Sequence, residues 1–148
     1  MRSGRHFAEF TLLSGYMMVG AIRPGHNVST NTGGIHTADG HCTYESASGA
    51  VYPGGKHWEG SQLTERQGDC VGMLLDLGQG SMTLYKNGEK LGVMVTEGLS
   101  GPLCWAVDQA YEGDSVRIGS APAPASPTEE ELASARAWQE ANDPDSDE

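Results

Sequence analysis

The sequence predicts an all-β fold, an antiparallel β-sandwich, followed by one acidic helix near the C-terminus. In several short runs, apolar residues occupy every second position, which is typical of strands with one buried face. Glycine-rich turns separate these runs, and the chain contains 21 glycines. No convincing amphipathic helix precedes Ser126, and consecutive short strands without intervening helices favour an antiparallel sandwich.

The most regular predicted strand begins at Val71, with apolar residues at every second position as far as Leu77. A turn at 78–80 leads into a second strand over Ser81–Lys86, and the dipeptide Asn87-Gly88 follows it. Because both central residues of a type I′ turn have positive φ, which Asn and Gly tolerate, this dipeptide predicts a tight hairpin. The other predicted strands lie at 6–12, 17–22, 42–44, 50–52, 91–95, 103–107 and 116–118.

Composition and charge exclude several function classes. The chain of 148 residues carries a net charge of −11, with 9 basic residues against 20 acidic ones, so we expect no nucleic-acid partner. No apolar run approaches the roughly 18 residues of a membrane span and no signal peptide is evident, so we expect no membrane association and a cytoplasmic protein. The 3 cysteines have no CxxC spacing, which predicts thiols in a reducing compartment rather than a disulfide framework.

The chain divides into three predicted parts. Residues 1–120 form the sandwich domain, 121–127 a semi-rigid linker of alternating Pro and Ala, and 128–148 an acidic tail that is helical or disordered. A charge run of this kind is usually a solvated end of the chain, and contact with a basic partner is the alternative.

A helix is predicted at the start of the acidic tail. Ser126 is the predicted N-cap, Pro127 the first helical residue and Glu129 the residue that closes a capping box. The helix is expected to end near Ala141. Because an isolated helix of this length is marginal in water, three outcomes remain open: docking on the sandwich, docking on a partner, or a partly frayed tail. The apolar side chains at helical spacing are Leu132, Ala135 and Trp138.

Apart from the two brief extended runs at 42–44 and 50–52, residues 23–66 show no regular pattern, and they contain four of the five histidines. His36, His41 and Cys42 provide nitrogen and sulfur donors within seven residues, so a small metal-binding protein is one alternative. Their spacing matches no zinc pattern, and we expect no metal and no cofactor. Cys42 with His36 or His41 also has the residue types of a thiol–base pair, but no oxyanion-hole motif is visible, so we expect no enzyme.

Four segments in order carry the hallmarks of one known family. They are GRHFAEF at 4–10, GDCVGMLLDL at 68–77, LYKNG with LGV over 84–93, and GPLCWAV at 101–107. Together they resemble the SPRY domain over roughly residues 3–119. The resemblance implies a β-sandwich of the concanavalin-like, jelly-roll type and a non-catalytic protein-interaction module. Within the hallmarks, Asp76 is interpreted as a scaffold residue whose carboxylate accepts backbone hydrogen bonds from the following loop.

The resemblance also implies that a short peptide or a protein surface binds to loops at one end of the sandwich. The chain begins at the first hallmark, so we expect an open sheet edge that invites a partner strand or a missing upstream segment. A glycan-binding sandwich is the closest alternative, with Tyr44, Tyr52 and Trp58 stacking on sugar rings, unless Trp58 is a loop anchor packed on the sandwich. The candidate partner-binding residues are Arg23, Pro24, His26, Asn27, Tyr44, Tyr52, Gln109, Ala110 and Tyr111.

Overall fold

The computed structural model describes residues 3–14, 17–23, 42–45, 51–52, 58, 70–109 and 115–142. Within these ranges the chain forms nine strands and one helix. The strands are β1 (Arg5–Ser14), β2 (Met17–Ile22), β3 (Cys42–Glu45), β4 (Val51–Tyr52), β5 (Cys70–Asp76), β6 (Ser81–Lys86), β7 (Glu89–Val95), β8 (Cys104–Gln109) and β9 (Ser115–Ser120). The helix is α1 (Glu129–Asn142).

The strands form two antiparallel sheets, which confirms the predicted fold class. Sheet A has five strands in the order β7-β6-β5-β1-β9, and sheet B has four in the order β4-β3-β2-β8. Each described pairing is antiparallel. Among these nine strands the chain crosses between the sheets four times, between β1 and β2, β4 and β5, β7 and β8, and β8 and β9.

The predicted hairpin at Asn87-Gly88 is present. Both residues have positive φ, 51° at Asn87 and 87° at Gly88. The Asn87 side chain accepts a hydrogen bond of 2.9 Å from the Cys70 amide, and the Asn87 amide donates one of 2.8 Å to the Cys70 carbonyl. The turn between β6 and β7 is therefore tied to the start of β5.

The core lies between the two sheets. From sheet A it receives alternate residues of the central strands, as the period-two pattern predicts. Phe10 on β1 meets Trp105 on β8 edge to face, with ring centroids 5.9 Å apart. The three cysteines, all of which lie in described strands, form no disulfide. The fully buried apolar residues of this core include Phe10, Leu12, Val19, Val71, Met73, Leu75, Met82, Leu84 and Leu103.

The opposite face of sheet A, called here the outer face, is also covered. Leu74 lies between Met73 and Leu75 on β5 and therefore points away from the core, yet it is fully buried. Its neighbour across the sheet is Thr83, which pairs in turn with Val93. Both are buried too, so the chain covers this face with another segment.

Helix α1 provides part of that cover. Leu132 and Ala135 are buried against Val93 of β7, in a small apolar cluster separate from the main core. Of the three outcomes left open for the acidic tail, the structure therefore shows docking on the sandwich. No helix within the described ranges is long and apolar enough to cross a membrane.

The predicted start of the helix is wrong by two residues. Thr128, not Ser126, is the N-cap: its Oγ1 accepts a 3.2 Å hydrogen bond from the Glu131 amide. Glu131, not Glu129, closes the capping box, and its carboxylate accepts a 3.1 Å hydrogen bond from the Thr128 amide. The cap moves because the Ser126 hydroxyl already has a different partner, the Asp76 carboxylate.

Candidate interaction site

The predicted partner-binding residues occupy different places in the fold. Arg23 directly follows β2 and is exposed. Tyr52 ends β4 and Gln109 ends β8. Tyr44 lies in β3, where its ring belongs to the core. The remaining candidates lie outside the described residues, and they are Pro24, His26, Asn27, Ala110 and Tyr111.

The strand register divides these candidates between the two ends of sheet B. Ile22 pairs with Cys104 at one end of the β2–β8 ladder, and Met17 pairs with Gln109 at the other. Because β3 is antiparallel to both β2 and β4, the chain leaves β2 and β4 toward the same end. Arg23 and Tyr52 thus mark one end, here called the Arg23 end, while Gln109 marks the opposite end.

Tyr44 and Trp58 are core residues. Tyr44 is 1% exposed and Trp58 is 2% exposed, and their rings meet edge to face at a centroid distance of 6.4 Å. A ring buried in this way cannot offer its face to a sugar or a partner in this conformation. Trp58 matches the anchor interpretation, in which the ring packs on the sandwich, and the glycan-stacking alternative gains no support from either residue.

Cys42 is also a core residue. It is 1% exposed, and burial raises the pKa of its thiol far above the ordinary value. Both a nucleophilic cysteine and a metal-ligating one need the thiolate, which this environment disfavours. The histidines proposed beside it, His36 and His41, lie outside the described residues.

Sequence reasoning did not anticipate how the C-terminal segment is attached to sheet A. Residues 121–128, called here the strap, run from β9 to α1. Arg5 donates a 2.9 Å hydrogen bond from Nη1 to the Pro124 carbonyl. Gln79 donates one of 3.0 Å from Nε2 to the Pro127 carbonyl, and its Oε1 accepts one of 2.9 Å from Ser81. The strap is therefore held by side chains from β1 and from the β5–β6 turn, and Ser81 of β6 orients the Gln79 side chain.

The centre of this attachment is Asp76, the last residue of β5. As predicted, its Oδ1 accepts hydrogen bonds from the loop that follows, of 2.8 Å from the Gly78 amide and 3.0 Å from the Gln79 amide. Its Oδ2 accepts a hydrogen bond from the Ser126 hydroxyl, which the sequence did not reveal. Burial opposes ionisation of this carboxyl, but these hydrogen bonds and the charge of Arg5 hold the pKa of Asp76 below its ordinary value.

A surface ion pair connects the helix with β7. Lys90 Nζ lies 2.7 Å from Glu131 Oε2. This hydrogen bond is the largest cause that raises the pKa of Lys90 and lowers that of Glu131. Because both side chains are partly exposed, the pair contributes at most about 1 kcal/mol to stability. Its effect is mainly to orient the first turn of α1 on the sheet.

An aromatic groove of about 220 Å³ lies beside the strap on the outer face. Phe7 and Tyr85 meet edge to face there, with ring centroids 5.6 Å apart. A Cβ at Gly72 would lie 2.5 Å from Phe7 Cζ, so the ring can cross β5 only because residue 72 is glycine. The groove is lined by Phe7, Glu9, Gly72, Tyr85, Gly88, Pro122 and Pro124.

Comparisons with known proteins agree with this architecture. A family model described as the SPRY domain matches residues 5–127. The chain is similar to the SPRY domain of human HERC1, with 22% sequence identity and a TM-score of 0.63, over 81% of this chain and 77% of that one. It is also similar to a human SPRY domain, with 18% identity and a TM-score of 0.60, over 76% of this chain and 74% of that one. No curated protein gives a significant match.

The two solved structures are distant in sequence and show the fold alone. The family model, by contrast, covers most of the chain, from the first residue of β1 through the strap to Pro127. The predicted resemblance is confirmed, and SPRY domains are generally protein-interaction modules. This chain therefore belongs to the SPRY domain family.

Proposed function

We propose that the chain is a non-catalytic interaction module that binds a short peptide or a protein surface through loops at the Arg23 end of sheet B. The observation that carries the proposal is the strand register, by which β2 and β4 both send the chain toward this end. Arg23, the first residue after β2, is exposed there. Of the predicted partner-binding residues, Arg23 and Tyr52 mark this end, and Pro24, His26 and Asn27 follow Arg23 in the sequence.

The physical properties of this end suit recognition. Arginine is enriched among the residues that dominate binding energy at protein interfaces. Strands β2 and β3 hold the loop ends in a rigid frame, because Val19 and Tyr44 of these strands are core residues. Strand ends that are held in this way lose little conformational freedom when a partner docks beside them.

The absence of catalysis is part of the proposal and is supported by the state of Cys42. This thiol is buried with a raised pKa, so it lacks the thiolate character and the access to solvent that a nucleophile needs. The family to which the chain belongs acts generally through binding.

A peptide selection tests the proposal. The full chain is used to select binders from a random peptide display library, and the affinity of a selected peptide is measured by fluorescence polarisation. Arg23→Ala is expected to weaken binding at least about tenfold, the effect of losing one anchor residue of a small interface. Gln109→Ala, at the end of β8 and thus at the opposite end of sheet B, is the control and is expected to leave affinity within about twofold.

Two results would contradict the proposal. One is loss of binding in Gln109→Ala together with full affinity in Arg23→Ala, which would move the site to the Gln109 end. The other is a selection that enriches no peptide while the circular dichroism of the chain remains that of a folded β protein.

A further inference from the structure

We propose that Ser126 is a phosphorylation site, and that phosphate on its hydroxyl releases the strap and helix α1 from the outer face of sheet A. The proposal goes beyond binding at the Arg23 end, because it concerns the opposite sheet and a different segment of the chain. It rests on the contact between Ser126 and Asp76, on the charges around that contact, and on the composition of the surface that the strap covers.

The local chain around Ser126 is suited to a protein kinase. Residues 121–128 form neither helix nor strand, so the segment has the irregular, extended character that a kinase active site accepts. Ser126 is partly buried and Pro127 is buried, while Ala125 and Thr128 on either side of them are exposed, so a kinase reaches the hydroxyl when the strap lifts. Pro127 follows the hydroxyl directly, the arrangement that proline-directed kinases read, and three glutamates begin at position 129.

The modification is a phosphoryl transfer from a nucleoside triphosphate. The Ser126 oxygen forms a bond to the γ-phosphorus, while the bond from that phosphorus to the bridging oxygen breaks. The nucleoside diphosphate leaves, and the hydroxyl proton passes to the base of the kinase. The product carries a phosphate with a charge of about −1.5 to −2 at neutral pH.

The phosphate removes an attraction and adds a repulsion. In the unmodified chain the Ser126 hydroxyl donates a hydrogen bond to Oδ2 of Asp76. After phosphorylation this donor is gone, and a dianion stands next to the carboxylate. Among the described residues, Arg5 is the cation whose charge acts on Asp76, and its Nη1 is already engaged with the Pro124 carbonyl. Lys90 is engaged with Glu131, and the first turn of α1 carries three glutamates, so the local charge balance is strongly negative.

The described apolar cluster between the helix and sheet A is small and consists of Leu132 and Ala135 with Val93. The hydroxyl of Thr83, beside Val93 on the same face, is buried without a hydrogen-bond partner. Burying an unsatisfied hydroxyl is unfavourable, and release of the helix allows the Thr83 hydroxyl to form hydrogen bonds with water. The described hydrogen bonds of the strap, from Arg5 and Gln79 and to Asp76, are exposed or only partly buried, so water competes for them.

Hydrogen–deuterium exchange of the full chain tests the proposal. Phosphoserine is incorporated at position 126, and exchange is measured by mass spectrometry for peptides that cover α1 and for peptides that cover β5 and β6. The phosphorylated chain is expected to exchange at least tenfold faster than the unmodified chain in α1, with exchange unchanged in β5 and β6. The unchanged strands show that the sandwich stays folded while the helix leaves it.

Two control variants make the test specific. Ser100→Glu adds a negative charge at another exposed serine that has no described contact with the strap, and it is expected to leave the exchange of α1 unchanged. In an Asp76→Asn chain, phosphoserine at 126 is expected to accelerate exchange of α1 several-fold less than in the native chain, because the repelled carboxylate is absent.

Three outcomes would overturn the proposal. One is exchange of α1 that is equal or slower in the phosphorylated chain, the slower case meaning that Arg5 has captured the phosphate and tightened the strap. Another is equal acceleration by Ser100→Glu. The third is a proline-directed kinase that phosphorylates a peptide of residues 121–131 but transfers no phosphate to Ser126 of the intact chain.

Discussion

Replacing Gly20 by alanine is expected to lower the free energy of unfolding by about 3 kcal/mol or more, at the upper end of the range for overpacked positions. A Cβ at this position would lie 2.0 Å from the Cys42 carbonyl oxygen and 2.6 Å from the Cα of Thr43. Both are backbone atoms of β3, which cannot rotate away as a side chain can. Strands β2 and β3 must therefore move apart, and Tyr44 on the core face of β3 moves with them.

Urea unfolding followed by tryptophan fluorescence measures this loss. Gly119→Ala is the matched control, because the added Cβ at this exposed strand position meets no atom within 4 Å. Its expected change in unfolding free energy is within about 0.5 kcal/mol. Equal midpoints for Gly20→Ala and the native chain would show that the described register of β2 and β3 is wrong.

Replacing Asp76 by alanine is expected to lower the free energy of unfolding by about 2–4 kcal/mol. Two backbone amides of the β5–β6 turn lose their hydrogen-bond acceptor, and so does the Ser126 hydroxyl. The same change frees the strap, so α1 is expected to exchange its amides faster. Chemical denaturation gives the first quantity, and hydrogen exchange gives the second.

Asp76→Asn separates hydrogen bonding from charge. The amide oxygen of asparagine still accepts the two hydrogen bonds from the turn. The Asp76→Asn variant is therefore expected to retain more than half of the unfolding free energy that the Asp76→Ala variant loses. Acid has a related effect: the native pKa of Asp76 is lowered, so its stabilising effect is complete above the ordinary value of about 3.9 and is lost as the pH falls through the native pKa. If the alanine and asparagine variants lose equal stability, the hydrogen-bond account of Asp76 is wrong.

The strands were predictable because their alternation reflects a single dominant force, the burial of one face between two sheets. Asn87-Gly88 was predictable for a local reason, since few residues tolerate positive φ at two successive positions. The same alternation failed at Leu74, which it assigns to an exposed face. The outer face is covered in part by α1, which docks on Val93 from a distant part of the sequence, and periodicity within one strand carries no information about such a segment.

The helix cap illustrates a second limit. Ser126-Pro127 fits the local pattern of a helix start, but a hydroxyl that can cap a helix can equally bind a distant carboxylate. In the structure the Asp76 carboxylate accepts a hydrogen bond from that hydroxyl, and the Gln79 side chain donates one to the Pro127 carbonyl. The helix therefore begins after Thr128. The hallmark position of Asp76 was a usable signal, since its second carboxylate oxygen still needed a donor after the turn amides had been assigned.

The candidate site was predicted as a set of residue types rather than as a place. In one-dimensional order, Arg23 and Gln109 are both close to strand ends. Only the pairing of β2 with β8 shows that these strand ends are opposite. The sequence presents Tyr44 as an aromatic residue in a weakly patterned region, and its burial against Trp58 is a tertiary contact that pattern analysis does not supply.

The central claim, that partners bind at the Arg23 end of sheet B, is tested most directly by mapping a selected peptide on the chain by NMR. Amide chemical-shift changes at saturation are expected to cluster at Ile22, Arg23 and Tyr52. Changes that cluster instead at Gln109, or around the aromatic groove on the outer face at Phe7 and Tyr85, would contradict it.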